Sequence, residues 1–259
     1  MIKIHPLATV SPDAKIGDNV EIGPYVFIDS DVEIGDGCRI LPHATIFSYV
    51  KMGKDCTVFP GAVVGAIPQD LKFDGEVSRV EIGDRVTIRE CATINRGTAA
   101  SGKALTKIGN DVLLMSYTHV AHDCTVGNHC ILVSFVGIAG ETDVDDWAIL
   151  GGSTVAHQFS RIGKHAMVSG GSKINKDIPP FAMIGHDPIA FVGINRVGLL
   201  RRGYTEEQVN LIKDIYETLY NSGLNVSDAL VKIEQDFPSS PERDEILGFI
   251  KSSKRGIVR

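Results

Sequence analysis

Aliphatic residues recur every six positions along the first two-thirds of the chain. Ile4, Val10, Ile16, Ile22, Ile28, Ile34, Ile40, Ile46, Met52, Val58 and Val64 form an unbroken run. The run resumes at Ile82, Ile88 and Ile94, and again from Ile108 through Leu114, Val120, Val126, Leu132, Ile138, Val144 and Leu150. It passes Ala156 and ends at Ile162, Val168 and Ile174. Four residues after each aliphatic comes a small or β-branched one, such as Ala14, Val20, Val26, Ala44, Ala62, Val86, Ala92, Val112, Val136 and Ala148. A period of six fits neither a helix nor a simple two-faced strand; it fits short strands separated by corners. Three such hexads per coil give a parallel β-helix. Residues 18 apart in an uninterrupted run then lie above one another, about 4.8 Å apart, at the spacing of hydrogen-bonded strands. Gly or Asn after the aliphatic residue, as in IGDN, IGDG, IGDR, IGND and VGNH, is read as a corner that requires positive φ.

The hexads stop at Asn195 and helical patterns follow. Thr205-Glu-Glu-Gln208 has the form of a capping box opening a helix to about Tyr220, Ser227 is a candidate cap for a second helix, and Ser240-Pro241 for a third. The apolar set Val209, Leu211, Ile212, Ile215 and Leu219 is core or subunit packing. The organisation expected is a mainly β chain: a β-helix over residues 1–195, then a small α-helical domain over 196–259.

Composition narrows the function classes. Of 259 residues, 43% are hydrophobic and 22% charged, which suits a folded chain with a sizeable core. The net charge of −6 argues against a general nucleic-acid or membrane-surface binder. No signal-peptide pattern opens the chain and no run approaches 18 apolar residues, so a cytoplasmic location without a membrane span is expected. All the net charge lies before residue 196; the tail balances ten Lys and Arg against ten Asp and Glu and is the comparatively basic part. Cys38, Cys56, Cys124 and Cys130 fall in the small-residue slot of the hexad, so they read as buried packing residues rather than disulfide or metal ligands. Leu113, Met115, Tyr117, Val133, Phe135 and Trp147 are apolar at outward positions, which a solvated prism face does not need; they mark a face buried against another subunit.

Five ordered strings carry a resemblance over nearly the whole chain: the GxxxQDLKF-type segment at 65–73, EIGDRVTIREC with TINRGT at 81–98, HVAHDCTVGNHCIL at 119–132, GGSTVAHQF at 151–159 and GLLRRGY at 198–204. Together they resemble the UDP-N-acetylglucosamine O-acyltransferase family. The resemblance implies a left-handed winding and a homotrimer. It also implies transfer of an (R)-3-hydroxyacyl group from acyl carrier protein to the sugar 3-hydroxyl, the first step of lipid A biosynthesis, with no cofactor beyond the carrier thioester and no metal. Such a transfer needs a base for the hydroxyl proton and donors for the carbonyl oxyanion. The resemblance assigns His122 as general base, Asp123 as its orienting partner and Gly140 as the backbone oxyanion donor. Register arithmetic agrees, since Gly140 and Gln158 lie one and two coils above His122. By the same resemblance His157 and Gln158 are sugar-contacting or active-site positions, and His119 and Glu141 are further substrate-binding positions. Asp70 contacts the amino sugar, Lys72 the charged or acyl-bearing portion, and Asn195, Arg201 and Arg202 the nucleotide and phosphates. Met167, Ser169, Gly170 and Gly171 fall near the acyl-length ruler. The insertion at 66–79 is expected to reach a neighbouring subunit's cleft, and the basic tail to steer the acidic acyl carrier protein.

Three positions depart from the family pattern. Glu141 and Asn95 stand where histidines are common, and Val197 where an acidic nucleotide contact is usual. Glu141 one coil above Asp123 is expected to stack two carboxylates and raise their pKa values. Two other acceptors, the amino groups of 3-amino or 2-amino UDP-sugars, remain open on the same scaffold. Outside acyl transfer, His119, His122 and His157 leave open a metal-dependent hydratase of the hexapeptide carbonic anhydrase type, and a bare β-helix leaves open a non-catalytic binding protein.

Overall fold

A computed structural model describes all of residues 1–259. Each hexad becomes a strand, mostly of two residues, beginning with Lys3–Ile4, Thr9–Val10 and Lys15–Ile16. Strands three apart in sequence pair in parallel, so the chain winds through three sheets of eleven, nine and eight strands. This is a left-handed parallel β-helix of triangular section. The hexad aliphatics point inward and pack on the small residues of the preceding corners: Ile28, Ile46, Val64, Ile94, Val120 and Ile138 are fully buried in one continuous core. Cys38, Cys56, Cys124 and Cys130 are free thiols buried in that core, and Cys91 is free and exposed. Burial raises the thiols of Cys124 and Cys130 to about 12, which keeps them protonated and inert.

The corners depart from the sequence reading in one respect. Positive φ falls three residues after the aliphatic, and the residue there is seldom glycine: Asn19, Tyr25, Asp31, His43, Asp123, His129, Glu141, Trp147 and His165 all adopt it. The glycine directly after the aliphatic has a different cause. At Gly35 a Cβ would sit 2.6 Å from Gly53 O of the next coil, so the stacked backbones leave no room for a side chain.

Register locates two excursions. Val58 pairs with Ile88, where an unbroken coil would bring Glu76 alongside it, so the intervening chain leaves the wall near 66–79. Ile82 pairs with Ile108, where an unbroken coil would bring Ala100, so a second and shorter excursion leaves near 96–104. From Ile108 to Ile162 the regular coil spacing is unbroken.

An antiparallel hairpin, Ala182–Gly185 with Ala190–Ile194, leads from the last coil to four helices. They are α1 Arg196–Arg201, α2 Glu206–Asn221, α3 Val226–Asp236 and α4 Pro241–Ser252. Thr205 and Gln208 form the expected capping box, and Ser240 caps α4 with Pro241 in its first turn. The cap of α3 is Asn225 rather than Ser227; its side chain accepts from Asp228 N at 2.9 Å, and Ser227 lies inside the first turn. Val209, Ile212, Ile215 and Leu219 are buried and Leu211 partly so, in a second core that also takes Phe181 from the last corner of the prism. None of the helices is long and apolar enough to cross a membrane.

The outward apolar positions separate into two groups. Tyr117 and Phe135 are exposed and stack at 5.0 Å, as an uncovered face would. Trp147 does not belong to that face. It is half-buried in a column with His129 and His165, at 4.0 and 6.1 Å, and the Arg202 guanidinium lies 5.0 Å over its ring, so the turn after α1 already covers it.

Candidate active site

Both excursions converge on His122. The imidazole is held by its neighbour, with His122 Nδ1 2.9 Å from Asp123 Oδ2. A carboxylate accepts only, so Nδ1 carries the proton and Nε2 is free to accept one. Asp123 is fully buried. Its carboxylate receives Thr98 N–H at 3.0 Å on both oxygens and Thr98 Oγ1 at 2.8 Å, while its own N–H donates to Thr106 Oγ1 at 2.8 Å. Burial works to raise the Asp123 pKa, but donors from His122 and the 98–101 turn outweigh it and hold the carboxyl below its ordinary value. The raised pair expected from stacking Glu141 over Asp123 is therefore not what the site contains: the Asp123 carboxylate is taken up by the second excursion.

The column predicted by register is in place. Glu141 N–H donates to His122 O at 3.0 Å and Phe159 N–H to Gly140 O at 3.1 Å, which stacks the 122, 140 and 158 corners on successive coils. A side chain at 140 would overlap Cε1 and Nε2 of His122, so that edge of the ring lies against a backbone that only glycine supplies. The Gly140 N–H donates to no acceptor in the chain. Gln158 and His157 are exposed one coil further on, with His157 Nδ1 3.0 Å from Gln158 O. His119, on the strand before His122, sits 2.7 Å from Thr93 Oγ1; burial and the neighbouring His122 push its pKa down, so it is a neutral hydrogen-bonding group.

The 66–79 excursion folds back over its own coils. Asp70 Oδ2 lies 3.8 Å from His122 Nε2 of the same chain. Three contacts pin the loop. Asn95 Nδ2 donates to Ile67 O at 3.1 Å, Ala99 N–H donates to Glu76 Oε1 at 2.8 Å, and Phe73 lies 5.5 Å from the Arg96 guanidinium. Asn95 is thus a buried tether for the loop base, while Lys72 is exposed at its tip.

The residues expected at a nucleotide site divide. Asn195 is buried as the cap of α1, accepting from Gly198 N at 3.2 Å and donating to His165 O at 3.0 Å. Arg202 is turned inward onto Trp147 and donates to His165 Nδ1 at 3.1 Å; burial and that guanidinium lower the His165 pKa to about 4. Arg201 and Val197 are exposed. Met167, Ser169, Gly170 and Gly171 are exposed on a different corner of the prism, stacked on that of Gly151 and Gly152, and not on the 122–140–158 column. Thr98, the main anchor of Asp123, was not among the residues singled out from sequence.

Comparison with known proteins identifies the family. The family model described as UDP N-acetylglucosamine O-acyltransferase, domain 2, matches residues 177–258, and bacterial transferase hexapeptide repeats match 13–48 and 105–140. A protein of Xylella fastidiosa named acyl-[acyl-carrier-protein]–UDP-N-acetylglucosamine O-acyltransferase is 47% identical over 257 residues, 99% of this chain and 97% of its own. Crystal structures of UDP-N-acetylglucosamine acyltransferases align throughout. That from Bacteroides fragilis has a TM-score of 0.96 and 51% identity, covering 99% of this chain and 100% of its own. That from Francisella novicida has 0.95 and 39%, covering 100% and 94%. A buried-carboxylate histidine on a β-helix corner, a helical domain in the same place and identity near one-half along the full length lead to one conclusion: the chain belongs to the UDP-N-acetylglucosamine O-acyltransferase family.

Proposed function

We propose that the protein transfers an (R)-3-hydroxyacyl group from the thioester of acyl carrier protein to the 3-hydroxyl of UDP-N-acetylglucosamine. The observation that carries this reading is the His122 imidazole, fixed by Asp123 through Nδ1 and laid against Gly140 with Nε2 free. Nε2 takes the proton of the sugar hydroxyl as its oxygen attacks the thioester carbonyl. The oxyanion that forms is met by the unpaired Gly140 N–H, and the missing side chain lets the His122 ring lie beside that donor. Collapse breaks the carbon–sulfur bond, and the departing thiolate takes the proton back from Nε2. The products are a sugar ester and the free carrier thiol. Buried Asp123 holds the ring's tautomer and stabilises the imidazolium; Asp70, facing Nε2 from the other excursion, adds a second carboxylate for that transient charge.

The partners follow from the chemistry. Acyl carrier protein is the donor, and the Lys and Arg of the C-terminal domain suit its acidic surface. The exposed Tyr117 and Phe135 pair supports a homotrimer in which this face is covered. In this reading Met167, Ser169, Gly170 and Gly171 line the acyl end of a cleft formed between two subunits. The test supplies UDP-N-acetylglucosamine or its 3-amino analogue with a 3-hydroxyacyl carrier protein and identifies the product. An ester from the first substrate is expected, falling at least about 100-fold in His122→Ala for loss of a general base. An amide from the analogue with no ester from UDP-N-acetylglucosamine overturns the reading. A competition among acyl lengths then sets the chain preferred.

A further inference from the structure

The second excursion does more than interrupt the repeat. Thr98 is the N-cap of the short turn Ala99–Ser101, yet its side chain makes no cap hydrogen bond. A threonine in that position ordinarily accepts from the turn's own N–H groups. Here the hydroxyl donates out of the turn to Asp123 Oδ2 at 2.8 Å, the same oxygen that receives His122 Nδ1 at 2.9 Å. Thr98 N–H adds a contact to each carboxylate oxygen at 3.0 Å, and both residues are buried from solvent.

The neighbours are shaped to keep Thr98 there. At Gly97 a Cβ would overlap Leu105 N and stand 2.6 Å from Asp123 Oδ1, so the strand entering Thr98 passes close to the carboxylate only because residue 97 has no side chain. Ser101 Oγ donates to Thr98 O at 2.9 Å, and Glu76 accepts Ala99 N–H at 2.8 Å, which joins the second excursion to the first. Lys103 Nζ reaches Asp123 O and Asp143 Oδ1, each at 3.4 Å.

We infer that Thr98 is a positioning residue for acyl transfer, the group that fixes the Asp123 carboxylate and through it the orientation of the His122 ring. The inference rests on His122 acting as general base. Its physical content is that a carboxylate held by two donors making three contacts, in addition to the imidazole, cannot rotate, so the ring keeps one plane and Nε2 one direction. The hydroxyl also draws electron density from Oδ2. Without it, Asp123 holds an imidazolium more strongly, and the ring keeps its second proton to higher pH. The other groups facing the pair are Asp70, neutral His119, Lys103 and, one coil on, Glu141; none of them is altered when Thr98 is changed.

Thr98→Val removes the hydroxyl and keeps the shape and the N–H, Thr98→Ala removes it with less crowding, and Thr98→Ser restores it. In both hydroxyl-free variants kcat falls about tenfold, as for loss of one charge-assisted hydrogen bond, while KM for both substrates stays within about twofold. The acid limb of the kcat/KM profile moves to higher pH by about half a unit. Thr98→Ser returns kcat and the limb to those of the parent enzyme. A parent-like kcat and limb in Thr98→Val or Thr98→Ala overturns the inference. So does equal impairment of the Val, Ala and Ser variants with an unmoved limb, which is the signature of packing alone. His122→Ala is run beside them. If it retains turnover, the reading of His122 as base fails and the inference with it; if it is inactive while the hydroxyl-free variants behave as the parent, only the role of Thr98 fails.

Discussion

Gly140→Ala separates the geometry of the base from the stability of the fold. The backbone at 140 lies outside the left-handed region, so alanine there carries no conformational strain. Its N–H is unchanged. The added methyl overlaps Cε1 and Nε2 of His122, and the ring must withdraw by about 1 Å to restore ordinary van der Waals contact. The ring is tied to Asp123 at 2.9 Å and cannot make that movement without stretching or losing the bond. Misplacing a catalytic group by about 1 Å costs on the order of 100-fold in rate, or about 2.7 kcal/mol of barrier. Steady-state acyl transfer is expected to show that loss in kcat, with a melting temperature within about 2 °C of the parent's. In a His122→Ala background the same substitution is expected to add little, because the group it displaces is already gone. Turnover within about threefold of the parent in a folded Gly140→Ala protein would refute the placement of His122 against this backbone.

Three further substitutions test the site and the fold around it. Asp123→Asn presents an amide where Nδ1–H needs an acceptor, so kcat drops roughly 10³-fold or more by loss of the correct tautomer. Because the folded Asp123 pKa is depressed, the wild-type carboxylate contributes stability above the ordinary value near 3.8 that is lost as pH falls through its folded pKa. Melting curves between pH 5 and pH 3 should therefore fall less steeply in Asp123→Asn, and parallel curves would contradict this. Asp145 shows the opposite sign: burial first of all raises it to about 6, so the folded state holds a proton that the unfolded chain releases between about pH 4 and 6, and ionisation above that window destabilises. Asp145→Asn is expected to gain about 1–2 kcal/mol at pH 7 and little at pH 4 by urea titration; an equal gain at both values excludes the cause. Ile138, fully buried and stacked between Val120 and Ala156, loses about 3 kcal/mol on truncation to alanine, and an equilibrium unfolding change below about 1 kcal/mol would contradict that packing.

Much of this was legible from residues because a β-helix writes its geometry into a period. The hexad aliphatics are the core, and counting whole coils from His122 reached Gly140 and Gln158 with no structural information. The failures have physical causes. The glycine of each IGD sequence was assigned to positive φ, when what excludes a side chain there is the next coil's backbone, a contact no local motif displays. The contacts that hold the 66–79 loop over its own coils, Asn95 on Ile67 O, Arg96 on Phe73 and Ala99 N–H on Glu76, join segments that no period relates. Trp147 falls among the outward apolar residues expected at a subunit face because the turn that covers it comes from far along the chain, at Arg202 beyond the last coil. Thr98 escaped notice because its partner Asp123 lies across an excursion that breaks the period, where register arithmetic does not apply.

The unbroken coil spacing makes length a quantised property of this scaffold. Three whole hexads added within a run extend the prism by one storey and leave every later side chain facing as before. A single hexad taken up as an extra strand turns everything downstream through a third of a revolution, carrying one half of the His122 column to another wall. The two excursions escape this arithmetic because they leave the wall and return to the point of departure. Variation in chain length is thus confined to whole storeys or to balconies, and both balconies of this chain overhang the same histidine.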